Sequence, residues 1–527
     1  MSSASDTFSR RRAGTREWIG LAVVALPVLV VSFDLTALHL ALPHLAADLA
    51  PSGAQQLWVL DIYGFVTAGF LITMGTLGDR IGRRRLLLAG GAAFGVLSVA
   101  AAYSSSAEML IVTRALLGVA GATLAPSTLA LISNMFHDPR QRGLAIGVWG
   151  SCFAAGGAVG PVVSGVLLEW FWWGSVLLLG VPVMVVVLIA GPLLLPEFRA
   201  SDPGRLDLPS VLLSLAGILP LVYALKTAAA EGWQPSVLAA LLAGLACGAV
   251  FVGRQRTLDD PLIDLRLFRH RVLGVGLGGM LAGQVVLTGF ILVFTQYLQL
   301  AQGLSPLHAG LWMVPFASVN VLGSMGAPVL ASRLGPGRAI AAGLVVMALG
   351  LVTFTLAQDR PEAGPGLAVA GAMLVSLGVG PLLILVTDMV VGAAPRDRSG
   401  AASSLSETFA EVGMALGVAA LGALVTAVYR GSVADEVPPG APAPVTEAMR
   451  DSLAGAVAES RGLPADVAAE VLEGAREAFA TALSVAGYAS IAVAVVLAVV
   501  TWVFLKPGTG ADLAEEQVKE NEPGAVG

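Results

Sequence analysis

Four carboxylates lie inside long apolar stretches of the sequence, namely Asp34, Asp61, Glu407 and Glu411. An ionised carboxylate at the centre of a bilayer costs about 2.5–3.5 kcal/mol on insertion scales, so each of them calls for a reason. Glu407 and Glu411 are four residues apart and share one helix face. Because burial and mutual repulsion both disfavour the doubly ionised pair, such acids can exchange a proton for a cation. The competing interpretation is a set of helix–helix hydrogen bonds that only hold the bundle together.

One arginine, Arg114, also stands within an apolar stretch. It can release a proton from a neighbouring carboxylate, or it can form a static ion pair that braces its helix, and both readings stay open. Aromatic faces attract cations, and two aromatic residues flank Asp61. The residues predicted to couple protons are Asp34, Glu407, Glu411 and Arg114. The residues predicted to bind a cationic substrate are Asp34, Asp61, Trp58, Tyr63, Glu407 and Glu411.

Composition identifies the chain as a polytopic membrane protein. Of its 527 residues, 56% are hydrophobic and 13% charged, with a mean hydropathy of +0.81. Soluble domains have about 25% charged residues, so this chain is too poor in charge to cover a water-facing surface. The net charge of −6 argues against a nucleic-acid partner. Cys152 and Cys247 both lie in apolar runs, so we expect no disulfide framework.

The sequence has fourteen apolar runs, each long enough to cross a bilayer. They lie at roughly 18–43, 55–77, 86–104, 108–133, 143–168, 174–195, 206–227, 235–253, 272–299, 307–332, 338–357, 365–391, 400–429 and 478–505. With the N-terminus in the cytoplasm, 23 of the 30 basic residues fall in cytoplasmic segments. The positive-inside rule therefore places both termini in the cytoplasm. Asp388, near the cytoplasmic end of the twelfth run, is interpreted as a solvated helix end.

A weak internal repeat indicates two halves. The connection Leu77–Arg85 and the connection Leu330–Arg338 match in Leu, Arg, Gly and Arg at equal offsets, eight runs apart. Repeats of this kind are typical of secondary transporters, whose binding sites lie between the halves. The predicted units are a cytoplasmic tail (1–17), a six-helix half (18–195), two inserted helices (206–253), a second six-helix half (272–505) and a cytoplasmic tail (506–527).

The segment 430–477 is predicted to be an extracellular loop with helical stretches near 445–460 and 464–476. It is either a helical hairpin over the outer mouth that gathers cations, or a solvated surface. No lysine follows a Gly-x-x-x-x-Gly pattern, so we expect no ATP site and no ATP-driven enzyme. No residues have metal-ligand spacing, and no metal or other cofactor is expected. We expect the proton-motive force to supply the energy, at about 2.3 kcal/mol per charge per 100 mV.

These motifs resemble those of the fourteen-helix drug:proton antiporters of the major facilitator superfamily, and the resemblance covers nearly the whole chain. Asp34-Leu35-Thr36 with Ala41-Leu42-Pro43 is similar to that branch's first-helix motif. The stretch 75–85 resembles the superfamily's cytoplasmic loop motif, and Arg114 with two nearby glycines resembles the fourth-helix motif. The run 156–165 resembles the antiporter motif of helix five. The stretch 58–63 resembles the same stretch in quaternary ammonium exporters.

The resemblance implies an all-α major facilitator fold with a 6 + 2 + 6 arrangement of helices. It also implies export of lipophilic cationic drugs, dyes and quaternary ammonium biocides in exchange for protons, with multidrug resistance as the outcome. The residues expected to gate the conformational change are Gly75, Asp79, Arg80, Gly82, Arg83, Arg84, Gly157, Gly160, Pro161 and Gly165. We expect a monomer in a bacterial cell membrane, with lipid, protons and small cations as its partners and no residue that catalyses a reaction.

Three alternatives stay open at this point. The chain can be a narrow exporter of one natural product, a membrane sensor that transports nothing, or a symporter that works in the direction of uptake. The sequence also bears on whether the transported cation carries one charge or two. No acid occurs between Asp264 and Asp359, so helices nine and ten carry no anionic group. This absence of a second anionic anchor favours monovalent lipophilic cations.

Overall fold

The structure, a computed structural model, is built from α-helices. It describes residues 13–49, 51, 53–199, 207–232, 234–258, 261, 271–304, 306–358, 365–393, 399–434, 436, 443–460 and 462–505. No strand occurs within these ranges. The described ranges contain fourteen long helices, namely α1 (Thr15–Leu49), α2 (Gly53–Ile81), α3 (Arg83–Ala102), α4 (Ala107–Met135), α5 (Pro139–Trp170), α6 (Gly180–Leu194), α7 (Leu208–Glu231), α8 (Pro235–Gln255), α9 (Arg271–Gln296), α10 (Pro306–Leu334), α11 (Pro336–Gln358), α12 (Pro365–Ala393), α13 (Ser399–Val433) and α14 (Ala465–Phe504).

Shorter elements complete the described part of the chain. A one-turn helix, Ser175–Leu178, precedes α6, and a π-helical turn, Tyr297–Ala301, continues α9. Two short helices, Ala443–Asp451 and Leu453–Ser460, lie between α13 and α14.

Thirteen helices of the described chain are long and apolar enough to cross a membrane. The remaining long helix, α5, is not in this set, although it is long enough. Its 32 residues span about 48 Å, which is more than the thickness of a bilayer. The predicted all-helical membrane class is confirmed. The cytoplasmic location of the two termini stays a prediction, and the tails 1–12 and 506–527 lie outside the described residues.

Local sequence signals fix where several helices begin. Asp138 caps α5, because its carboxylate accepts hydrogen bonds from the backbone N–H groups of Arg140 and Gln141 at 2.8 and 3.3 Å. Ser106 caps α4 in the same way. Between α2 and α3 the chain turns at Gly82, whose φ of 109° lies in the region that glycine tolerates best.

The helices pack into two groups with a helix pair beside them. In the first group α1 packs on α5 and α2 on α4, and in the second α9 packs on α13 and α11 on α12. The inserted helices α7 and α8 pack on each other, and α7 also contacts α2 and α13, one helix from each group. Glycines allow the closest contacts, since a Cβ on Gly350 of α11 would lie 2.7 Å from the carbonyl oxygen of Gly371 on α12. The residue limits of the halves stay a prediction.

The segment between α13 and α14 folds against both helices. The Tyr429 hydroxyl of α13 donates a hydrogen bond to the carbonyl oxygen of Met449 at 2.8 Å, and both residues are buried. The predicted separate helix near 464–476 is instead the first part of α14, which begins at Ala465 and continues unbroken to Phe504. The apolar face of this part, with Val471 and Ala475 buried, explains why the helix continues.

Candidate functional site

The centre of the candidate site is an ion pair between Asp34 on α1 and Arg114 on α4. Arg114 Nη1 donates to Asp34 Oδ2, and the side chains are 1% exposed for Arg114 and 8% for Asp34. Arg114 Nε also donates to the carbonyl oxygen of Val59 at 3.3 Å. The guanidinium carbon lies 4.8 Å from the centre of the Tyr63 ring, within the range of a cation–π interaction. A buried arginine is tolerated here because three groups from α1 and α2 compensate its charge.

Glycines on α4 bring α2 close enough to make these contacts. A Cβ on Gly118 would lie 2.6 Å from the backbone oxygen of Tyr63, and a Cβ on Gly121 would lie 2.7 Å from the Tyr63 hydroxyl oxygen. The Thr67 hydroxyl donates to the carbonyl oxygen of Tyr63 at 2.8 Å and to that of Gly118 at 3.2 Å. The glycines after Arg114 therefore position its aromatic partner.

The acidic pair on α13 approaches this ion pair from the other group of helices. Glu407 and Glu411 lie close enough to act on each other electrostatically, and α13 packs against both α2 and α4. Asp34, Arg114 and Glu411 all act electrostatically on the Tyr63 hydroxyl. The structure thus brings together predicted residues that are almost 400 positions apart in the chain.

Trp58 lies on a different side of α2 from Tyr63. Its ring stacks on Tyr223 of α7, with centroids 6.0 Å apart and planes at 14°, and the side chain is 38% exposed. Phe65 meets the same ring edge-on at 5.9 Å. Trp58 therefore faces the inserted helices, whereas Tyr63 faces α4. Asp61 belongs to α2, but its side chain lies outside the described residues.

The predicted loop motif holds α2, α3 and the end of α6 together. Asp79 and Arg83 form a buried ion pair, and the backbone N–H of Arg83 donates to the carbonyl oxygen of Phe198 at 3.0 Å. Between them, a Cβ on Gly82 would lie 2.9 Å from the carboxylate carbon of Glu197, so the Glu197 side chain would have to move. The positive φ of 109° favours glycine at this position.

The other members of the loop motif lie at the same end of the bundle. Arg84 Nη1 donates to the carbonyl oxygen of Leu195 at 3.1 Å, just after α6 ends. Gly75 is buried and Arg80 is half-buried. These contacts brace the first group of helices at the end that the positive-inside rule assigns to the cytoplasm.

The glycine motif of α5 allows this helix to lie close against α1. A Cβ on Gly157 would lie 3.2 Å from the hydroxyl oxygen of Ser32, two residues before Asp34. Gly160 is buried and Gly165 is half-buried. The side chain of Pro161 lies outside the described residues. The motif thus contacts the turn of α1 that positions Asp34.

One ion pair between the helix groups is not predicted by any pattern in the sequence. Arg142 Nε on α5 lies 2.7 Å from Asp388 Oδ1 on α12, and each side chain is 20% exposed. This corrects the interpretation of Asp388 as a solvated helix end. The two residues are 246 positions apart, and no local pattern pairs them.

Contacts on either side of Arg142 and Asp388 close the same end of the bundle. A Cβ on Gly147 of α5 would lie 3.1 Å from the carbonyl oxygen of Ser324 on α10. The Ser403 hydroxyl of α13 donates to the carbonyl oxygen of Pro126 on α4 at 3.1 Å. We call this closed end, with Arg142, Asp388, Gly147 and Ser403, the interhalf latch.

The remaining charged side chains of the described ranges add no metal site, since no three His, Cys, Asp or Glu residues among them cluster closely enough to hold an ion. The clearest other pair joins the inserted helices. Arg254 donates to both carboxylate oxygens of Asp207, at 2.7 and 2.9 Å. These hydrogen bonds hold the pKa of Asp207, just before α7, well below its usual range.

Known proteins share both the sequence and the architecture. The sequence profile of the Major Facilitator Superfamily matches residues 24–418. The chain is 44% identical over 473 residues to the multidrug efflux pump LfrA of Mycolicibacterium smegmatis, covering 90% of this chain and 93% of LfrA. It is 35% identical over 491 residues to the methyl viologen resistance protein SmvA of Salmonella typhimurium, covering 92% and 98% of the two chains.

The architecture is similar to that of the proton:xylose symporter XylE, with a TM-score of 0.57 at 14% identity, covering 94% of this chain and 98% of XylE. At this identity the likeness shows the fold alone. The profile match, the LfrA and SmvA alignments and the thirteen apolar helices agree with one another. The chain therefore belongs to the Major Facilitator Superfamily, as a multi-pass protein of the bacterial plasma membrane.

Proposed function

We propose that this protein is a proton-coupled antiporter that exports lipophilic cationic drugs from the cell. The observation that carries the proposal is the buried ion pair of Asp34 and Arg114, with Glu411 acting on the same tyrosine from the other helix group. Buried ionisable groups between transporter halves are typical of proton and ion pathways. The similarity to LfrA and SmvA supports drug efflux by a secondary transporter rather than an ATP-driven enzyme.

Protonation of Asp34 changes the balance of charge around Arg114. While Asp34 is ionised, the pair is neutral and both groups are satisfied. A proton on Asp34 removes the counter-ion, and Arg114 keeps only the Val59 carbonyl and the Tyr63 ring. Because an uncompensated buried charge is costly, the helices rearrange when Asp34 takes up a proton. This is the step that links the proton to the conformational change.

The cycle uses the acids on both sides of the site. With the interhalf latch open, deprotonated Asp34, Glu407 and Glu411 hold the cation. Closing the latch exposes the site at the opposite end, where protons neutralise the acids and release the cation. The described conformation, with Arg142 and Asp388 paired, is the one closed at the latch. With the predicted cytoplasmic location of that end, it faces outward.

The test is proton release from vesicles that contain the purified protein and a trapped pH dye. A lipophilic monovalent cation such as tetraphenylphosphonium is added, and we expect wild type to move protons in the opposite direction. Asp34→Asn should abolish this signal. Asp48→Asn is the matched control, since Asp48 also belongs to α1 but is exposed. Wild-type vesicles that show no proton movement would refute antiport.

The same assay decides between the substrate classes that the sequence leaves open. Competition among chemically unrelated cations is expected for a multidrug exporter, whereas a narrow natural-product exporter would show none. Methyl viologen, after which the relative SmvA is named, is a dication and is included for this reason. Proton movement in the same direction as the cation would instead identify a symporter.

A further inference from the structure

The turn between α10 and α11 carries two exposed arginines that the mechanism above does not use. Arg333 lies in the last turn of α10 and Arg338 in the first turn of α11. Among the described side chains, no carboxylate pairs with either guanidinium. The turn therefore presents two positive charges that the described part of the chain does not neutralise.

The equivalent turn in the first helix group has a carboxylate at its side. The two turns are built alike, since Gly82 and Gly335 both have a positive φ, of 109° and 82°. In the internal repeat, Arg85 corresponds to Arg338. Arg85 Nε lies 3.6 Å from Glu197 Oε2, in the chain that leaves α6. The first turn is therefore neutralised by an acid of the protein.

The second turn makes the same helix contact without that acid. As α3 packs on α6, so α11 packs on α14, and a Cβ on Gly337 would collide with the carbonyl oxygen of Leu505 just after α14. Glu197 is the third residue after α6, whereas the sequence continues from Leu505 with Lys506 and Pro507. An anion from outside the described chain can take the place of the missing carboxylate.

Both arginines continue rows of exposed apolar side chains. Members of each row are three, four or seven residues apart, which places them on one face of the helix. The row that leads to Arg333 on α10 is Leu322, Met325 and Val329, and the row that follows Arg338 on α11 is Val345, Leu349 and Leu356. Exposed apolar rows on membrane-spanning helices face lipid. The arginines therefore lie where these faces reach the headgroups.

Trp502 lies beside the turn, in the last part of α14. Its side chain is 59% exposed and follows the exposed Val495 and Val499 on the same helix face. The guanidinium carbon of Arg338 lies 5.8 Å from the centre of the Trp502 ring, within the range of a cation–π interaction. Tryptophan is enriched at the level of the lipid headgroups. The ring thus supports Arg338 at that level.

Other acids near this end of the bundle are engaged or belong to the tail. Asp388 of α12 pairs with Arg142, and Asp138 caps α5. The tail 506–527 contains acids, and it lies outside the described residues. A lipid is favoured over the tail because both arginines continue lipid-facing rows and one of them lies on an interfacial tryptophan.

We propose that Arg333, Arg338 and Trp502 bind the headgroup of one anionic phospholipid. Guanidinium groups donate charge-assisted hydrogen bonds to phosphate oxygens, and basic sites between membrane-spanning helices recognise anionic headgroups. The lipid supplies to the second helix group the negative charge that Glu197 supplies to the first. The site lies on the outer surface of the bundle and does not depend on which substrate is transported.

The experiment measures lipid binding by native mass spectrometry of the full-length protein, purified in detergent and titrated with dioleoyl phosphatidylglycerol. We expect Arg333→Gln with Arg338→Gln to weaken binding of the first lipid about tenfold or more. Trp502→Leu should weaken it about two- to fivefold. The matched control is Arg140→Gln with Arg256→Gln, which removes the same charge from exposed residues and should change the affinity less than about twofold.

Two further ligands define the chemistry of the site on wild type, without any variant. Dioleoyl phosphatidylcholine has the same acyl chains and no net charge, and it should bind about tenfold more weakly. A large excess of inorganic phosphate should not displace phosphatidylglycerol. Equal affinity for the two lipids would overturn the anionic site, and displacement by phosphate would identify a site for the free ion instead.

Variants separate the contact from folding and from general surface charge. Lysine at both positions keeps the charge and should keep the affinity within about threefold. The thermal midpoint without lipid should be equal in wild type and the glutamine variant, so that a loss of binding reports the lost contact. Unchanged affinity in the glutamine variant, or equal weakening in the control, would overturn the proposal.

A last variant tests the tail as the competing occupant. Asp512→Asn, Glu515→Gln and Glu516→Gln together neutralise its first acids in the full-length chain and should change the affinity less than about twofold. A gain of about tenfold would show that the tail, and not a lipid, occupies the arginines in wild type.

Discussion

Arg142 and Asp388 form an ion pair between the two helix groups, with Nε and Oδ1 2.7 Å apart at the start of α5 and near the end of α12. Both side chains are largely removed from solvent, at 20% exposure each. Because the groups must separate here for the central site to open at this end, the pair favours the conformation that is closed at the interhalf latch.

Removing the negative charge of Asp388 from the interhalf latch should increase the fraction of the protein that is open at this end. Asp388→Asn removes one partner of a charge-assisted hydrogen bond, which contributes about 1.5–3 kcal/mol, so the population open at this end should rise about tenfold or more. Spin labels at the exposed Arg140 and Ser332, in a background without native cysteines, report the separation of the two groups by pulsed electron resonance.

The control for the latch is the exchanged pair, Arg142→Asp with Asp388→Arg. It restores opposite charges and should bring the label distances back towards those of wild type. Distances that do not change in Asp388→Asn would show that the backbone contacts of the latch suffice without the ion pair.

Transport should depend more on the aromatic ring of Tyr63 than on its hydroxyl group. The ring lies 4.8 Å from the Arg114 guanidinium, so Tyr63→Phe keeps the cation–π contact and should keep most of the transport rate. Tyr63→Leu removes a contact worth about 0.5–2 kcal/mol, and transport should fall about 2- to 30-fold. Efflux normalised to expression measures the difference. Equal activity of the two variants would remove Tyr63 from the support of Arg114.

Gly118 should be intolerant of any side chain. Gly118→Ala would place a methyl group 2.6 Å from the backbone oxygen of Tyr63 and force α2 and α4 apart, at a cost of about 1–3 kcal/mol. Gly326→Ala on α10 is the matched control, because a Cβ there meets nothing within 4 Å. Thermal unfolding in detergent compares the two. Similar thermal midpoints would mean that the α2–α4 contact has more room than the structure shows.

The pair of Asp207 and Arg254 should make the inserted helices more stable above the usual range of aspartate titration than below it. The pKa of Asp207 is depressed in the folded protein, so its contribution is fully present above the unfolded pKa of about 3.9. It is lost as the pH falls from there through the folded pKa. The thermal midpoint of wild type should therefore exceed that of Asp207→Asn by a constant amount above about pH 5 and by less below about pH 4.

Arg254→Gln supplies the control for this pH dependence, because it removes the donor with the largest effect on the Asp207 pKa and leaves the hydrogen bonds from Ser210. Adding Asp207→Asn to that variant should then lower the thermal midpoint less, and with a weaker dependence on pH, than it does in wild type. A gap between wild type and Asp207→Asn that persists unchanged to pH 3 would contradict the assignment.

The sequence alone determined the membrane class, the helix count and the identity of the buried acids. These features follow from local composition, since a span needs about 20 apolar residues and a charge within it stands out at once. Helix starts at Asp138 and Ser106 follow equally local capping rules. The stretch predicted to be helical near 464–476 is helical, but it continues into the last span as α14, because the length of α14 depends on packing outside the span, which hydropathy does not report.

Only the tertiary structure decided which side chains meet. Asp34 and Arg114 are 80 positions apart, and Arg142 and Asp388 are 246 apart. Apolar periodicity says that a residue is buried but not which helix covers it. The orientation of α2 about its own axis likewise depends on contacts between distant segments. It turns Tyr63 towards α4 and Trp58 towards α7. Glycines such as Gly118 allow these contacts because they have no side chain.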